Sequence, residues 1–200
     1  MSRIVVINNI TLDGVMQAPG RADEDTRDGF EHGGWAVPYN DQVGGQFMGS
    51  HMVGTRAILL GRRTYTDFAG FWPMQGDNPF TNVLTATPKY VASTTLDPTQ
   101  EWANTIVLGG GGSGDAVPAI SDLRSEEGGD IVIMGSGDLV RSLARSNLID
   151  EYVLLIHPLA LGSGRRLFAE EQRLSLVESL ITTTGVVIAT YRPIAEGEAA

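Results

Sequence analysis

Short apolar runs in this chain stop abruptly, and helix-like stretches start at once. Residues 4–7 (IVVI), 57–61 (AILLG), 89–94 (KYVAST), 105–108 (TIVL), 130–134 (DIVIM) and 151–157 (EYVLLIH) read as strands. They are rich in β-branched side chains and bounded by turn formers. Helical patterns begin at RRTYTDFAGF (62–71), AVPAISDLRSEEG (116–128) and DLVRSLARSN (138–147), the second closing on a glycine C-cap. Strands that alternate with helices pair in parallel, because each helix carries the chain back across one face of the sheet. The alternation therefore predicts an α/β chain with a mainly parallel sheet covered on both faces. Residues 173–193 break the rhythm: they read as two strands joined by a turn near Thr184-Gly185, which adds an antiparallel C-terminal edge.

No internal repeat and no boundary interrupts this pattern, so a single domain is expected over residues 1–194, with a frayed tail at 195–200. GGGGSG (109–114) reads as a linker-like insertion. Residues 21–38 form a long polar connection with Phe30, Trp35 and Pro38 interspersed. Residues 40–53 carry Val43, Phe47 and Met52 at loosely helical spacing, weakened by Gly44, Gly45 and Gly49.

The formal net charge is −10 and there is a single lysine, Lys89. Nucleic acids and anionic membranes attract clustered Lys and Arg, so neither is an expected partner. An anionic ligand must instead be met by a few placed arginines, backbone amides and helix N-termini. With no cysteine in the chain, disulfides, thiolate zinc sites and cysteine nucleophiles are excluded. His32, His51 and His157 lack metal-ligand spacing, so no metal site is expected. No apolar run reaches the ~20 residues of a membrane span. The N-terminus carries no signal-peptide pattern, and a cytoplasmic location is the expectation.

Four segments could carry chemistry. In MGSGDLV (134–140) a strand runs through Gly135-Ser136-Gly137 into a helix, which is a phosphate cradle or a tight corner. The glycines allow close approach, but Val140 stands where a dinucleotide-binding fingerprint has its third glycine. In LLGRRTYTDF (59–68), Arg62 and Arg63 stand at a helix start, where the macrodipole disfavours cations unless an anion binds. In KYVASTTLD (89–97), Ser93 and Thr94 offer hydroxyls beyond a strand's carboxyl end, or simply turn the chain. In INNITLDGVM (7–16), two asparagines close a strand and Asp13-Gly14 makes a turn. Phe30, Trp35, Phe71, Trp72 and Met16 could line a flat-ring pocket or belong to the core. No serine lies in a nucleophile elbow, so a hydrolase triad is not expected.

In order along the chain, ITLDGVM (10–16), LLGRRTY (59–65), KYVAST (89–94), IVIMGSGDLVRSL (131–143), LIDEYVLLIHPLALGSGRRLF (148–168) and GVVIATYRP (185–193) resemble the dihydrofolate reductase-like superfamily. The likeness is closest to the C-terminal reductase domain of bifunctional riboflavin-biosynthesis deaminase–reductases and its stand-alone bacterial relatives. It implies a three-layer sandwich around a mainly parallel eight-stranded sheet with an antiparallel C-terminal edge strand. It also implies NADPH as cofactor and hydride transfer to a small heterocyclic, imine or carbonyl substrate, similar to 5-amino-6-(5-phosphoribosylamino)uracil reductase.

Carried over by position, Gly61, Arg62, Arg63 and Thr64 would hold the adenosine-side phosphates. Ser93 and Thr94 would sit near the adenine ribose and its 2′-phosphate. Gly135, Ser136, Gly137, Asp138 and Leu139 would meet the pyrophosphate. Asn9 and Met16 would flank the nicotinamide, Asn9 at its carboxamide, with the Asp13-Gly14 loop as a flap. Phe30, Trp35 and Trp72 are the expected substrate-pocket residues. Asp13, Asp41 or a water would supply the proton. A homodimer is consistent with the relatives.

The zinc-binding cysteines of the deaminase half have no counterpart here, and GGWAVPYNDQ (33–42) only loosely echoes the acidic Trp-x-x-Pro setting of folate reductases. Residues 21–32 hold five carboxylates beside two arginines, an awkward cradle for a phosphorylated substrate. A pterin reductase, an NADPH-binding module without turnover and a domain for another phosphate ligand are the alternatives.

Overall fold

A computed structural model describes residues 1–96, 102–109 and 115–194. The GGGGSG stretch beyond Gly109 and the 195–200 tail lie outside these residues. Eight strands form one mixed sheet in the order β4-β3-β2-β5-β1-β6-β8-β7. They are β1 (Ile4–Thr11), β2 (Thr55–Gly61), β3 (Lys89–Ala92), β4 (Thr105–Leu108), β5 (Asp130–Met134), β6 (Glu151–His157), β7 (Leu174–Ile181) and β8 (Val187–Pro193). The helices are α1 (Gln42–Met52), α2 (Arg62–Phe71), α3 (Pro79–Ala86), α4 (Val117–Ser125) and α5 (Gly137–Arg145). No helix among the described residues is long and apolar enough to cross a membrane.

The chain divides into two compact units, with boundaries inside β1 and α1. Unit 1 comprises Met1–Val5 and Gly49–Ile149. In it β2 pairs in parallel with both β3 and β5, and β3 in parallel with β4. Ile58, Leu59, Leu60, Ile131 and Ile133 are fully buried, as strands covered on both faces must be. Helix α5 packs Val140 and Leu143 inward, and it places Asp138 in its first turn and Arg145 in its last, matching the macrodipole. The single lysine is structural. Lys89 is fully buried, and its Nζ donates to the carbonyls of Leu84, Thr85 and Thr87 at 2.6, 3.1 and 2.8 Å, closing the C-terminus of α3. It also stands 4.6 Å over the Trp102 ring. Burial pulls its pKa down to about 8, which still leaves it charged at neutral pH.

Unit 2 comprises Val6–Met48 and the chain from Asp150 onward. Here β8 pairs antiparallel with β6 on one side and β7 on the other. The antiparallel strand is therefore internal to the sheet order, and β7 is the edge. Val15, Ala18, Phe30, Trp35 and Ala36 form a core cluster, with Leu159 and Leu161 packed against it.

Several further elements depart from the pattern the sequence predicts, α4 among them: it ends at Ser125 with an extended Glu126 at its C-cap, and not on the glycine at 128. β1 runs on to Thr11, so both asparagines lie within the strand and not after it. α1 forms despite its three glycines, because Asp41 Oδ1 accepts the Gly44 amide at 2.8 Å and satisfies an otherwise orphan first-turn donor. α3, which the strand–helix alternation does not predict, carries ordinary start signals: Pro79 at the first turn, and Asn78 whose side chain accepts from Thr81 N at 2.9 Å. β3 ends at Ala92, leaving Ser93 and Thr94 in the following loop. No helix intervenes between the parallel neighbours β3 and β4 among the described residues.

Candidate functional site

In unit 1 the two Gly-containing turns meet. Strand β2 ends at Gly61, which precedes α2 in extended conformation and makes no side-chain cap. Strand β5 ends at Met134, and α5 follows after Gly135 and a left-handed Ser136, again without a side-chain cap. Ser136 joins the two turns. Its Oγ accepts the Gly61 amide at 3.0 Å and donates to Met134 O at 3.0 Å, while its N–H donates to Thr64 Oγ1 at 3.0 Å. Gly135 has φ +59°, and a Cβ there would lie 3.0 Å from Thr64 Cγ2. The close approach of the turns therefore depends on that glycine.

This arrangement sorts the expected phosphate-binding residues into two groups. The Ser136 hydroxyl, the Thr64 hydroxyl and the Gly61 amide hold the turns together. The amides of Gly137, Asp138 and Leu139 in α5, and of Arg62, Arg63 and Thr64 in α2, are first-turn donors without a capping side chain. The Asp138 carboxylate is held by Arg141, with Arg63 Nη1 3.8 Å away. Arg62 and Arg63 are exposed. Ser93 Oγ is engaged by the amides of Thr95 and Leu96 at 3.1 and 2.9 Å, a local turn. Thr94 is exposed beside it. Trp72 packs edge-on against Phe80, Phe71 and Phe68, with ring centroids 4.9, 5.2 and 6.2 Å away.

In unit 2 the two expected acids are tied down. Asp13 accepts from Thr11 Oγ1 at 2.5 Å and from the amides of Leu161 and Gly162 at 3.1 and 2.8 Å. Arg166 Nε donates to the Asp13 carbonyl at 2.8 Å. The Thr11 hydroxyl, with the Gly162 and Leu161 amides behind it, holds the Asp13 carboxyl at about 2. Asp41 is lowered in the same way, by the Gly44 amide first and then by the Thr183 hydroxyl, which donates at 2.5 Å. A carboxylate stabilised in its ionised form has no proton to give at neutral pH. Phe30 and Trp35 belong to the core cluster and are 7% exposed, so they are core side chains and not open pocket walls. Met16 is half-buried, its amide donating to Arg165 O at 2.9 Å.

Asn9 stands near the end of β1, and its Oδ1 lies 2.9 Å from Nε2 of His157, the last residue of β6. His157 is 3% exposed and Nδ1 has no partner. Burial depresses its pKa to about 4. Metal-ligand spacing, which this histidine lacks, gives no hint of that environment. The available signal was its position, a lone imidazole closing the otherwise apolar run YVLLI. Among the described residues, no three His, Cys, Asp or Glu side chains group as metal ligands.

The fold is that of a dihydrofolate reductase-like protein, with two uncapped helix N-termini at adjoining strand ends. The chain matches the RibD C-terminal domain over residues 3–188 and belongs to that family. Among curated proteins it is 27% identical over 198 residues to the uncharacterized protein YyaP of Bacillus subtilis, with 94% of each chain covered. Among solved structures, a pyrimidine reductase-like protein from Corynebacterium diphtheriae is similar at TM-score 0.64 and 14% identity, covering 98% of this chain and 93% of that one. Dihydrofolate reductase from Enterococcus faecalis, solved in complex with NADP(H), is similar at TM-score 0.59 and 14% identity, with 96% of each chain covered.

Proposed function

We propose that this chain is an NADPH-dependent reductase of the RibD C-terminal family, acting on a small heterocycle at a C=N or C=O carbon. The observation that carries the reading is the pair of uncapped helix N-termini, α2 and α5, interlocked through Ser136 and Thr64. Aligned first-turn amides suit a pyrophosphate. The exposed Arg62 and Arg63 suit a further phosphate, the 2′-phosphate that separates NADPH from NADH. In this reading Gly137, Asp138 and Leu139 hold the pyrophosphate through their amides, Thr94 flanks the adenine ribose, and Asn9 meets the nicotinamide carboxamide beside Met16. When bound, the reduced nicotinamide supplies the hydride. Ionised Asp13 and Asp41 shape the loops and do not donate the proton, so water delivers it.

The substrate side favours an uncharged ring over a phosphoribosyl compound. Arg21, Arg27, Arg165 and Arg166 each face a carboxylate of their own unit: Asp23, Asp25, Asp28 and Asp13 respectively. The test is NADPH consumption over a panel holding both kinds of acceptor, pterins and phosphoribosylaminouracils. Turnover of an unphosphorylated heterocycle is the expected result. Tight NADPH binding with no turnover on any member would make the chain a binding module, and faster turnover of the phosphoribosyl compounds would reverse the substrate assignment.

A further inference from the structure

The His157–Asn9 contact has a direction, and the direction limits what Asn9 can recognise. A neutral imidazole carries one donor nitrogen and one acceptor nitrogen. The first arrangement has Nε2–H donating to Asn9 Oδ1 and leaves a bare lone pair on Nδ1. The second turns the amide over, so that Asn9 Nδ2 donates to Nε2 and the ring proton moves to Nδ1. Nδ1 is buried without a partner, so the second arrangement would bury an orphan N–H. Orphan buried donors are rarer than orphan acceptors. The first arrangement is therefore the stable one. It also leaves the Asn9 NH2, which makes no hydrogen bond among the described residues, as the group still able to bind a ligand.

The ring is locked from two further sides. Trp35 and Tyr39 stand edge-on to it, with centroids 5.1 and 5.4 Å away and interplanar angles of 90° and 77°. Trp35 is anchored in turn by its indole N–H, which donates to Gln17 O at 2.7 Å. The Tyr39 carbonyl accepts from Thr184 Oγ1 at 2.7 Å. Protonating the ring would create the same orphan donor at Nδ1, so the imidazole stays neutral through the physiological range.

We infer that His157 is a positioning residue: its Nε2–H fixes the Asn9 amide so that the NH2 group is the free end, which makes Asn9 a reader of hydrogen-bond acceptors and suits it to the carbonyl oxygen of the nicotinamide carboxamide. The identity of that ligand rests on the NADPH reading above, whereas the polarity of the pair does not.

Two measurements on the full chain test it separately. Nitrogen and carbon NMR of the three histidines, with His157 assigned through His157→Leu, should show a neutral Nε2–H tautomer at pH 7 in the ligand-free protein. An Nδ1–H tautomer would overturn the proposal. Binding of two probes, NADP+ and its fragment 2′-phospho-ADP-ribose, is then compared in His157→Leu and in His157→Gln, whose side-chain amide can still donate to Asn9. Expected in His157→Leu is roughly tenfold weaker NADP+ binding with the fragment unchanged, the size of one lost hydrogen bond. His157→Gln should recover most of that loss. Equal loss of both probes, or no loss of either, would overturn the inference. If the wild-type chain binds neither probe, the NADPH reading fails, and the tautomer still decides the His157–Asn9 polarity.

Discussion

At the starts of α2 and α5, unit 1 leaves first-turn amides uncapped, while in unit 2 the carboxylates of Asp13 and Asp41 each accept at least two hydrogen bonds from their own unit. Both regions hold residues of the type that binds or reacts. The first leaves its helix-start donors available, whereas the second spends its carboxylates on its own loops. In unit 2 the acids have become loop fasteners, and among the described residues the Asn9 amide keeps a free end, oriented by a histidine. Residue type nominates a site, but unoccupied hydrogen-bonding capacity decides whether it can act.

The comparison can be broken in several ways, the largest effect coming from His157. Its folded pKa near 4 lies below the ordinary 6.5. Between these values the unfolded chain binds the proton and the folded one refuses it. The stability contribution is therefore complete above pH 6.5 and is lost as the pH falls towards 4. At roughly 1.4 kcal/mol per pH unit the loss approaches about 3 kcal/mol. Denaturant unfolding at pH 7 and at pH 4.5 checks it, with His157→Gln removing most of the difference. A wild-type slope that survives the substitution would assign the effect to other groups.

Asp13→Ala comes next. It deprives the Leu161 and Gly162 amides and the Thr11 hydroxyl of their acceptor, and about 2 kcal/mol of stability should go with it. The contrast between the units sharpens if Asp13→Asn, in a catalytically active protein, leaves the pH profile of turnover unmoved. A proton donor would shift or abolish the acidic limb.

In unit 1, Gly135→Ala places a side chain in the left-handed region and against Thr64, costing about 1–2 kcal/mol. Because the same turn sets the Ser136 clamp, NADPH affinity should fall with it. The smallest effect expected is from Asp138→Asn, which removes a carboxylate from the first turn of α5. NADPH should bind a few-fold more tightly, and added salt should erase the gain.

Strand and helix patterns made the framework legible. EYVLLIH and DIVIM fall on β6 and β5 residue for residue, because continuous apolar runs bounded by turn formers leave little choice of element. The placement of β8 inside the sheet was not legible, since strand order depends on long-range pairing that no local pattern encodes. The starts of α2 and α5 could be read from GRRT and GSGD, but not that α5 is uncapped, because the Ser136 hydroxyl at its N-cap is spent on Gly61 and Met134. The quiet role of Asp13 could not, because its partners at 161 and 162 lie far along the chain. His157 was hidden for the same reason: its meaning comes from Asn9, Trp35 and Tyr39, which are remote in sequence.

The most direct test of the central claim is a titration of the purified chain with NADPH and, separately, NADH, in wild type and in Arg62→Ala/Arg63→Ala. The account predicts at least tenfold tighter binding of NADPH in wild type, with that preference lost in the double variant and NADH affinity nearly unchanged. Equal, weak binding of both cofactors by the wild-type chain would contradict it.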